Sequence, residues 1–356
     1  MRRKRWLIGL VCATVLLAAG LGIVRYVCRP KVLYQVTILP VLGGVEMRPF
    51  GINDAGQVVG AVRNEDGTTR VVLWDKKGGA REVASFAKGC EMVAFALNNA
   101  GQIAGTVTDP NHAFSSSFWD TDGRQYRLEA SAGGQCQIGA LNNRGQVVGH
   151  WTAARGPRHA FLWDKTAGLR DLGTFGGLES LACGVNDRGQ IVGFFSTFQS
   201  QWRAFLCDPN LGLRDLGPTD FGPAATCRIN NQGFIVGLFG SPDDQACVST
   251  WTLAAGAQQL PSFGTWAEVA ALNNANQFVT NVQQRQFHVG GHRFGGRVDS
   301  YFWKSGIDTT QVCDHLGRSD ARALTVVGLN KDGVMVGSLT VTGLPYRQAV
   351  LLEPIP

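Results

Sequence analysis

The densest group of chemically able side chains lies at residues 283–297, which read Gln-Gln-Arg-Gln-Phe-His-Val-Gly-Gly-His-Arg-Phe-Gly-Gly-Arg. His288 and His292 are four residues apart, a spacing that on a helix would offer two imidazoles to one metal ion. The glycines between and after them oppose a helix, and no third ligand accompanies the pair, so no metal is expected. A flexible, solvated loop is the plain reading of such a segment. The functional reading is an anionic or carbohydrate ligand, held by guanidinium groups and aromatic rings. Arg293 and Arg297 beside the histidines are its candidates.

Other chemistry is harder to find. Each recurrent Asn-x-x-Gly segment invites comparison with a calcium loop, but these segments carry at most one Asp apiece, where calcium needs several converging oxygens. Turn formation explains them better: Asn hydrogen-bonds its own turn and Gly tolerates positive φ. Glu91, Glu179 and Glu268 recur a few residues before a repeat asparagine and read as salt-bridged or solvated acids. No Ser-His-Asp ordering or Gly-x-Ser-x-Gly elbow is visible, so no catalytic set is assigned. Nor is any cofactor. Seven of the nine cysteines fall beyond residue 31, with no Cys-x-x-Cys spacing to suggest structural zinc. An oxidising compartment would permit disulfides, with at least one thiol left over.

The elements that must position these residues come from an internal repeat. Aligned on one asparagine, the chain reads GINDAGQVVG, ALNNAGQIAG, ALNNRGQVVG, GVNDRGQIVG, RINNQGFIVG, ALNNANQFVT and GLNKDGVMVG. The anchors are Asn53, Asn98, Asn142, Asn186, Asn230, Asn273 and Asn330, at intervals of 45, 44, 44, 44, 43 and 57 residues. An aromatic strand ending near Trp-Asp follows, as in VVLWD, SSFWD and AFLWD, then a GLRDLG segment in the middle copies. Each unit therefore holds four short strands: an apolar run into the asparagine, a hairpin partner after the turn, the Trp-Asp strand and the Arg-Asp-Leu strand. No helical periodicity occurs after residue 31. Four strands repeated seven times predict an all-β, seven-bladed β-propeller over 33–356.

The chain ends refine this. The seventh unit lacks a fourth strand, and Gln-Val-Thr-Ile-Leu-Pro-Val-Leu-Gly-Gly at 35–44 matches the missing segment in register, so the N-terminal strand is expected to complete the last blade. In a meandering blade the loops between second and third strands share a rim with the blade-to-blade connections. That rim would gather the 283–297 insertion with Phe175, Phe263 and Trp266, completing the candidate ligand-binding set of His288, His292, Arg293, Arg297, Phe175, Phe263 and Trp266. Variable loops on a rigid scaffold commonly carry binding.

Residues 1–31 form a separate segment: MRRKR, then an uncharged run from Leu7 to Val24. Its length and flanking charge predict a signal-anchor helix contacting the membrane through residues 6–26, with a cleaved signal peptide as the alternative. Either places the body outside the cytoplasm, membrane-anchored or secreted. The net charge of +6 belongs to this end, since residues 1–31 hold seven basic residues and no acid, leaving the body at −1. A nucleic-acid partner is excluded on that ground.

The repeats resemble the HAF-repeat family of extracytoplasmic bacterial proteins, whose units pair an I-N-x-x-G-Q-V-V-G segment with H-A-F-L-W-D. His159-Ala160-Phe161-Leu162-Trp163-Asp164 matches the second motif in full, and Arg203-Ala204-Phe205-Leu206-Cys207-Asp208 in part. The resemblance covers about residues 35–356. It implies a propeller-like surface or periplasmic protein and supplies no catalytic residues. The leading expectation is a non-catalytic binding or scaffolding module for a protein or carbohydrate ligand. Alternatives are a glycan- or polymer-acting hydrolase or lyase with an axial site, and a structural envelope subunit.

Overall fold

A computed structural model describes residues 31–130, 134–153, 156–219, 226–238, 248–260, 266–283, 287–289, 292–294, 298–304 and 308–356. It is a seven-bladed, all-β propeller of four-stranded antiparallel blades, with a single 3-10 turn, Val312–His315, among the described residues. Blades 1 to 6 span 46–86, 91–127, 135–173, 179–219, 227–259 and 266–311. Blade 7 takes three strands from 321–354 and its outermost from Tyr34–Ile38, which pairs with Gln348–Pro354 from Tyr34↔Pro354 to Ile38↔Val350. The first strand of each blade packs on that of the next, and the first strand of blade 7 on that of blade 1.

Local sequence explains the blade. The repeat asparagine ends the innermost strand, and its Oδ1 accepts the amides two and four residues on, as Asn98 does from Ala100 and Gln102. The glycine three residues after it sits at φ of +75 to +82° in six copies, a region costly for most side chains. In blade 6 the substitute is Asn276, at φ +60°, the residue type that best tolerates this conformation.

The Trp-Asp ending serves two purposes. Trp119, Trp163 and Trp303 are buried, and Phe118 of blade 2 meets Trp163 of blade 3 with ring centroids 5.1 Å apart. The following Asp caps the turn to the outermost strand: Asp164 Oδ1 accepts the Thr166 and Ala167 amides, both at 2.8 Å. The core is thus a set of apolar clusters between successive blades. Burying aromatic rings there gives each blade stability it would lack alone.

The insertion in blade 6 forms a small two-stranded hairpin, Phe287–Val289 paired antiparallel with His292–Phe294, rather than part of the blade sheet.

 The register sets His288 opposite Arg293 and His292 opposite Val289. Residues 1–30 lie outside the described residues, so the expected membrane segment does too. No helix among the described residues is long and apolar enough to cross a membrane.

Candidate functional site

The two rims of the propeller offer different surfaces. On the rim of the Asn-x-x-Gly turns the repeat asparagines are between 2% and 6% exposed, and six of the seven reach into the next blade. Asn53 Nδ2 donates to the Asn98 carbonyl at 3.1 Å, and the same bond recurs from Asn98, Asn142, Asn186, Asn230 and Asn273 at 2.9–3.0 Å. The same Nδ2 also donates to a glutamine four residues on, such as Gln190 at 2.7 Å. Gln190 Nε2 in turn donates to Asp208 Oδ2 at 2.6 Å, tying the asparagine turn to the ending of the third strand. Five copies carry this glutamine; blade 7 has Val334 in its place and blade 5 has Phe234, where Asn230 Nδ2 donates instead to Asn276 Oδ1 of blade 6 at 2.7 Å.

A second belt runs one residue further along. The Asp54 amide donates to Asn99 Oδ1, Asn99 to Asn143, Asn143 to Asp187, Asp187 to Asn231 and Asn231 to Asn274, all at 2.8–2.9 Å. The Lys331 amide donates to Asp54 Oδ1 at 2.8 Å, linking blade 7 to blade 1. Together the belts line an axial cavity of about 180 Å³. Its amides and carboxylates are engaged with one another, so the arrangement cross-links blades. Sequence reasoning had no role for the residue after each asparagine. Its signal was present: that position is Asn or Asp in six of seven copies.

The opposite rim carries the variable loops. Between blades 1 and 2 lies an open groove of about 620 Å³, lined by Glu46, Arg48, Arg63, Glu91, Met92 and neighbours. Arg63 pairs with Glu46 at 3.1 Å, and the Arg48 guanidinium lies 5.2 Å from the Phe50 ring centroid. Further round, Arg158 donates through Nε and Nη2 to Glu179 Oε2 at 3.1 and 2.8 Å and lies 6.0 Å from the Trp202 ring. His150 stands in this neighbourhood. Burial first, and the Arg158 charge second, push its imidazole down to about 4, with Glu179 opposing. It is neutral at ordinary pH.

The candidate ligand-binding residues are placed as follows. His288, Arg293 and His292 belong to the inserted hairpin, and Trp266 opens the innermost strand of blade 6 opposite Gln283. Phe263 and Arg297 lie outside the described residues. Phe175 sits in the connection from blade 3 to blade 4 at φ +55°, with its ring 4.5 Å from that of Phe205. That ring belongs to the core between the two blades. Of the recurrent acids, Glu179 is salt-bridged, Glu268 accepts from Asn281 Nδ2 at 2.9 Å, and Glu91 lines the groove. Among the described residues no three of His, Cys, Asp and Glu stand together as a metal site would require.

No protein-family model matches the chain, and no curated protein matches its sequence. Solved structures do resemble it. Selenomethionine-substituted virginiamycin B lyase from Staphylococcus aureus aligns over 90% of this chain and 100% of its own, at 8% identity and a TM-score of 0.54. A catalytically inactive form of that lyase with quinupristin aligns over the same shares, at 9% identity and a TM-score of 0.53. TolB from Acinetobacter baumannii aligns over 60% of this chain and 54% of its own, at 17% identity and a TM-score of 0.44. What this chain shares with the lyase at such identities is the propeller fold.

Proposed function

We propose that this protein is a non-catalytic binding or scaffolding propeller of the HAF-repeat type, held at the cell envelope. Its ligand is a protein or carbohydrate bound on the loop-rich rim. The observation that carries this reading is the contrast between the rims: the asparagine rim spends its polar groups on bonds between blades, whereas the other rim holds the open groove of about 620 Å³ with arginine, carboxylate and apolar walls. A cationic group beside an aromatic ring, as Arg48 beside Phe50, suits sugars and anionic side chains. The inserted hairpin of blade 6 extends the same rim.

The location rests on residues 1–31, whose basic start and apolar run suit an anchor crossing the membrane through 6–26 or a cleaved signal. The chain enters its first strand from the asparagine-turn end of blade 7, because Tyr34 pairs with Pro354 and Leu352 with Met335, just beyond the Asn330 turn. An anchor would therefore leave the loop-rich rim facing away from the bilayer. Pairing of Tyr34–Ile38 with Gln348–Pro354 is the clasp by which, in this reading, the ring is closed.

The test is a glycan array and a protein pull-down with the full chain, followed by product analysis of every hit. Binding without turnover, reduced at least tenfold by Arg48→Ala with Glu91→Ala, is the expected result. Turnover would favour a hydrolase or lyase acting on a glycan or other polymer. The buried His150 imidazole beside the Arg158–Glu179 pair is the observation that keeps this second reading, since it sets a perturbed titratable ring next to an acid and a cation on the loop-rich rim.

A further inference from the structure

Three residues before each repeat asparagine, the innermost strands bring equivalent positions of neighbouring blades together. Those positions are Phe50, Phe95, Gly139, Cys183, Cys227, Ala270 and Val327. The approach is close at each junction that can be measured. Phe50 and Phe95 hold their ring centroids 5.1 Å apart. Between blades 3 and 4, a Cβ built on Gly139 would stand 3.1 Å from the Cys183 Cα. Between blades 4 and 5, a Cβ on Gly184 would stand 3.4 Å from the Arg228 Cα and 3.3 Å from the Ile229 nitrogen. Backbones this near fall within the Cα separation of roughly 4.4–6.8 Å that a disulfide spans.

Cys183 and Cys227 occupy this level in blades 4 and 5. They meet in one apolar cluster, Cys227 buried within it and Cys183 packed against it, and the two thiols lie close enough to shift each other's titration. Arg228 ties the same junction, its Nη1 lying 3.4 Å from the Cys183 carbonyl and 3.1 Å from that of Cys227. The other described cysteines, Cys90, Cys136, Cys207 and Cys313, belong to four different clusters.

We infer that Cys183 and Cys227 are an oxidative modification site, forming a disulfide that staples blade 4 to blade 5 beside the propeller axis. The oxidant is a second disulfide, on a small molecule or on a protein. The Cys183 thiolate attacks one of its sulfurs and expels the other, giving a mixed disulfide. The Cys227 thiolate then attacks Cys183 Sγ and expels the second sulfur. One S–S bond forms, one breaks, and the two cysteine protons pass to the reduced oxidant. The order follows from the pair's asymmetry. Cys183 is partly exposed, and the neighbouring Cys227 draws its thiol down; Cys227 is buried, and burial pushes its thiol up.

The staple would fall where, among the described residues, the inner strands are short. The two inner strands of blade 5, Cys227–Ile229 and Ile235–Gly237, have three residues each, whereas those of blade 4, Glu179–Val185 and Ile191–Ser196, have seven and six. A cross-link there compensates a short ladder with a covalent bond and constrains the unfolded chain.

The experiment treats the purified full chain with oxidised glutathione, blocks remaining thiols, digests without reduction and reads the peptides by mass spectrometry. A Cys183–Cys227 linked peptide about 2 Da lighter than its two halves is expected. Reductant should then lower the melting temperature of the oxidised protein by roughly 5 °C. The double variant Cys183→Ala with Cys227→Ala should melt identically with and without reductant. Recovery of both cysteines in blocked form, or linkage of either to another cysteine, overturns the assignment. The peptide measurement uses the unaltered chain, so it decides the matter even where the variant does not fold. A defined redox buffer also makes the outcome independent of where the protein resides.

Discussion

The rim of asparagine turns and the rim of loops are built from the same seven units, yet they differ in almost every respect. The first repeats one bond from blade to blade, with Nδ2-to-carbonyl distances between 2.9 and 3.1 Å along six successive links. The second varies in length and composition, from the groove beside Arg48 to the hairpin of blade 6. The difference teaches where a repeat fold is free to change. A side chain that bonds the neighbouring unit is fixed by geometry, while one that faces solvent between units is not.

The largest expected effect comes from breaking the regular rim. Asn186→Ala removes bonds to the Asn230 carbonyl, Gln190 Oε1 and the Arg188 and Gln190 amides, leaving buried backbone groups without partners. A loss of about 3 kcal/mol is expected in urea unfolding. A comparable but pH-dependent loss is expected nearer the loops, at His150. Its folded value lies near 4, below the ordinary histidine value of 6.5, so the unfolded chain takes up the proton first. The associated stability is complete above the unfolded value and is lost as pH falls from there to about 4, by at most about 3 kcal/mol. His150→Gln should flatten that part of the stability–pH curve. If the slope persists, another group is responsible.

Smaller effects sharpen the contrast. Gln190→Ala unlinks the Asn186 turn from Asp208 and should cost about 1–2 kcal/mol. Arg158→Ala breaks a partly exposed ion pair with Glu179 and should cost about 1 kcal/mol or less in the same assay. Deletion of 286–294 should leave stability within about 0.5 kcal/mol while weakening ligand capture on the array. A large loss of stability there would mean that the hairpin supports the blade.

Much of the fold was legible because the repeat is so regular. The interval between asparagines, the turn glycines and the Trp-Asp endings specify four strands per unit and seven units, as the sheets display. The turn role of Asn53 and its equivalents could also be read, since it depends on residues within four positions. Their second role could not. A bond from Asn53 to Asn98 joins residues 45 apart, and only the radial placement of blades brings them together. The same applies to Gln190 and Asp208, which a linear reading sees as parts of separate motifs. Phe175 shows the opposite difficulty: a rim position in the meander, it turns its ring onto Phe205 through a backbone bend that sequence does not announce. Cys183 and Cys227 are a case between these. Their equal offset from Asn186 and Asn230 is visible in the alignment, but it acquires meaning only once first strands are known to touch.

The pairing of Tyr34–Ile38 with Gln348–Pro354 also has a consequence in time. A chain made from its N-terminus produces this strand first, and its partner appears only after the whole repeat array. Until then the strand has exposed edges and blade 7 does not exist, while earlier blades can already stack on one another. The pairing of this strand is therefore the last contact of its sheet that can form. Contacts of such long range fold slowly, which makes the seam the step most open to capture by another strand or a chaperone.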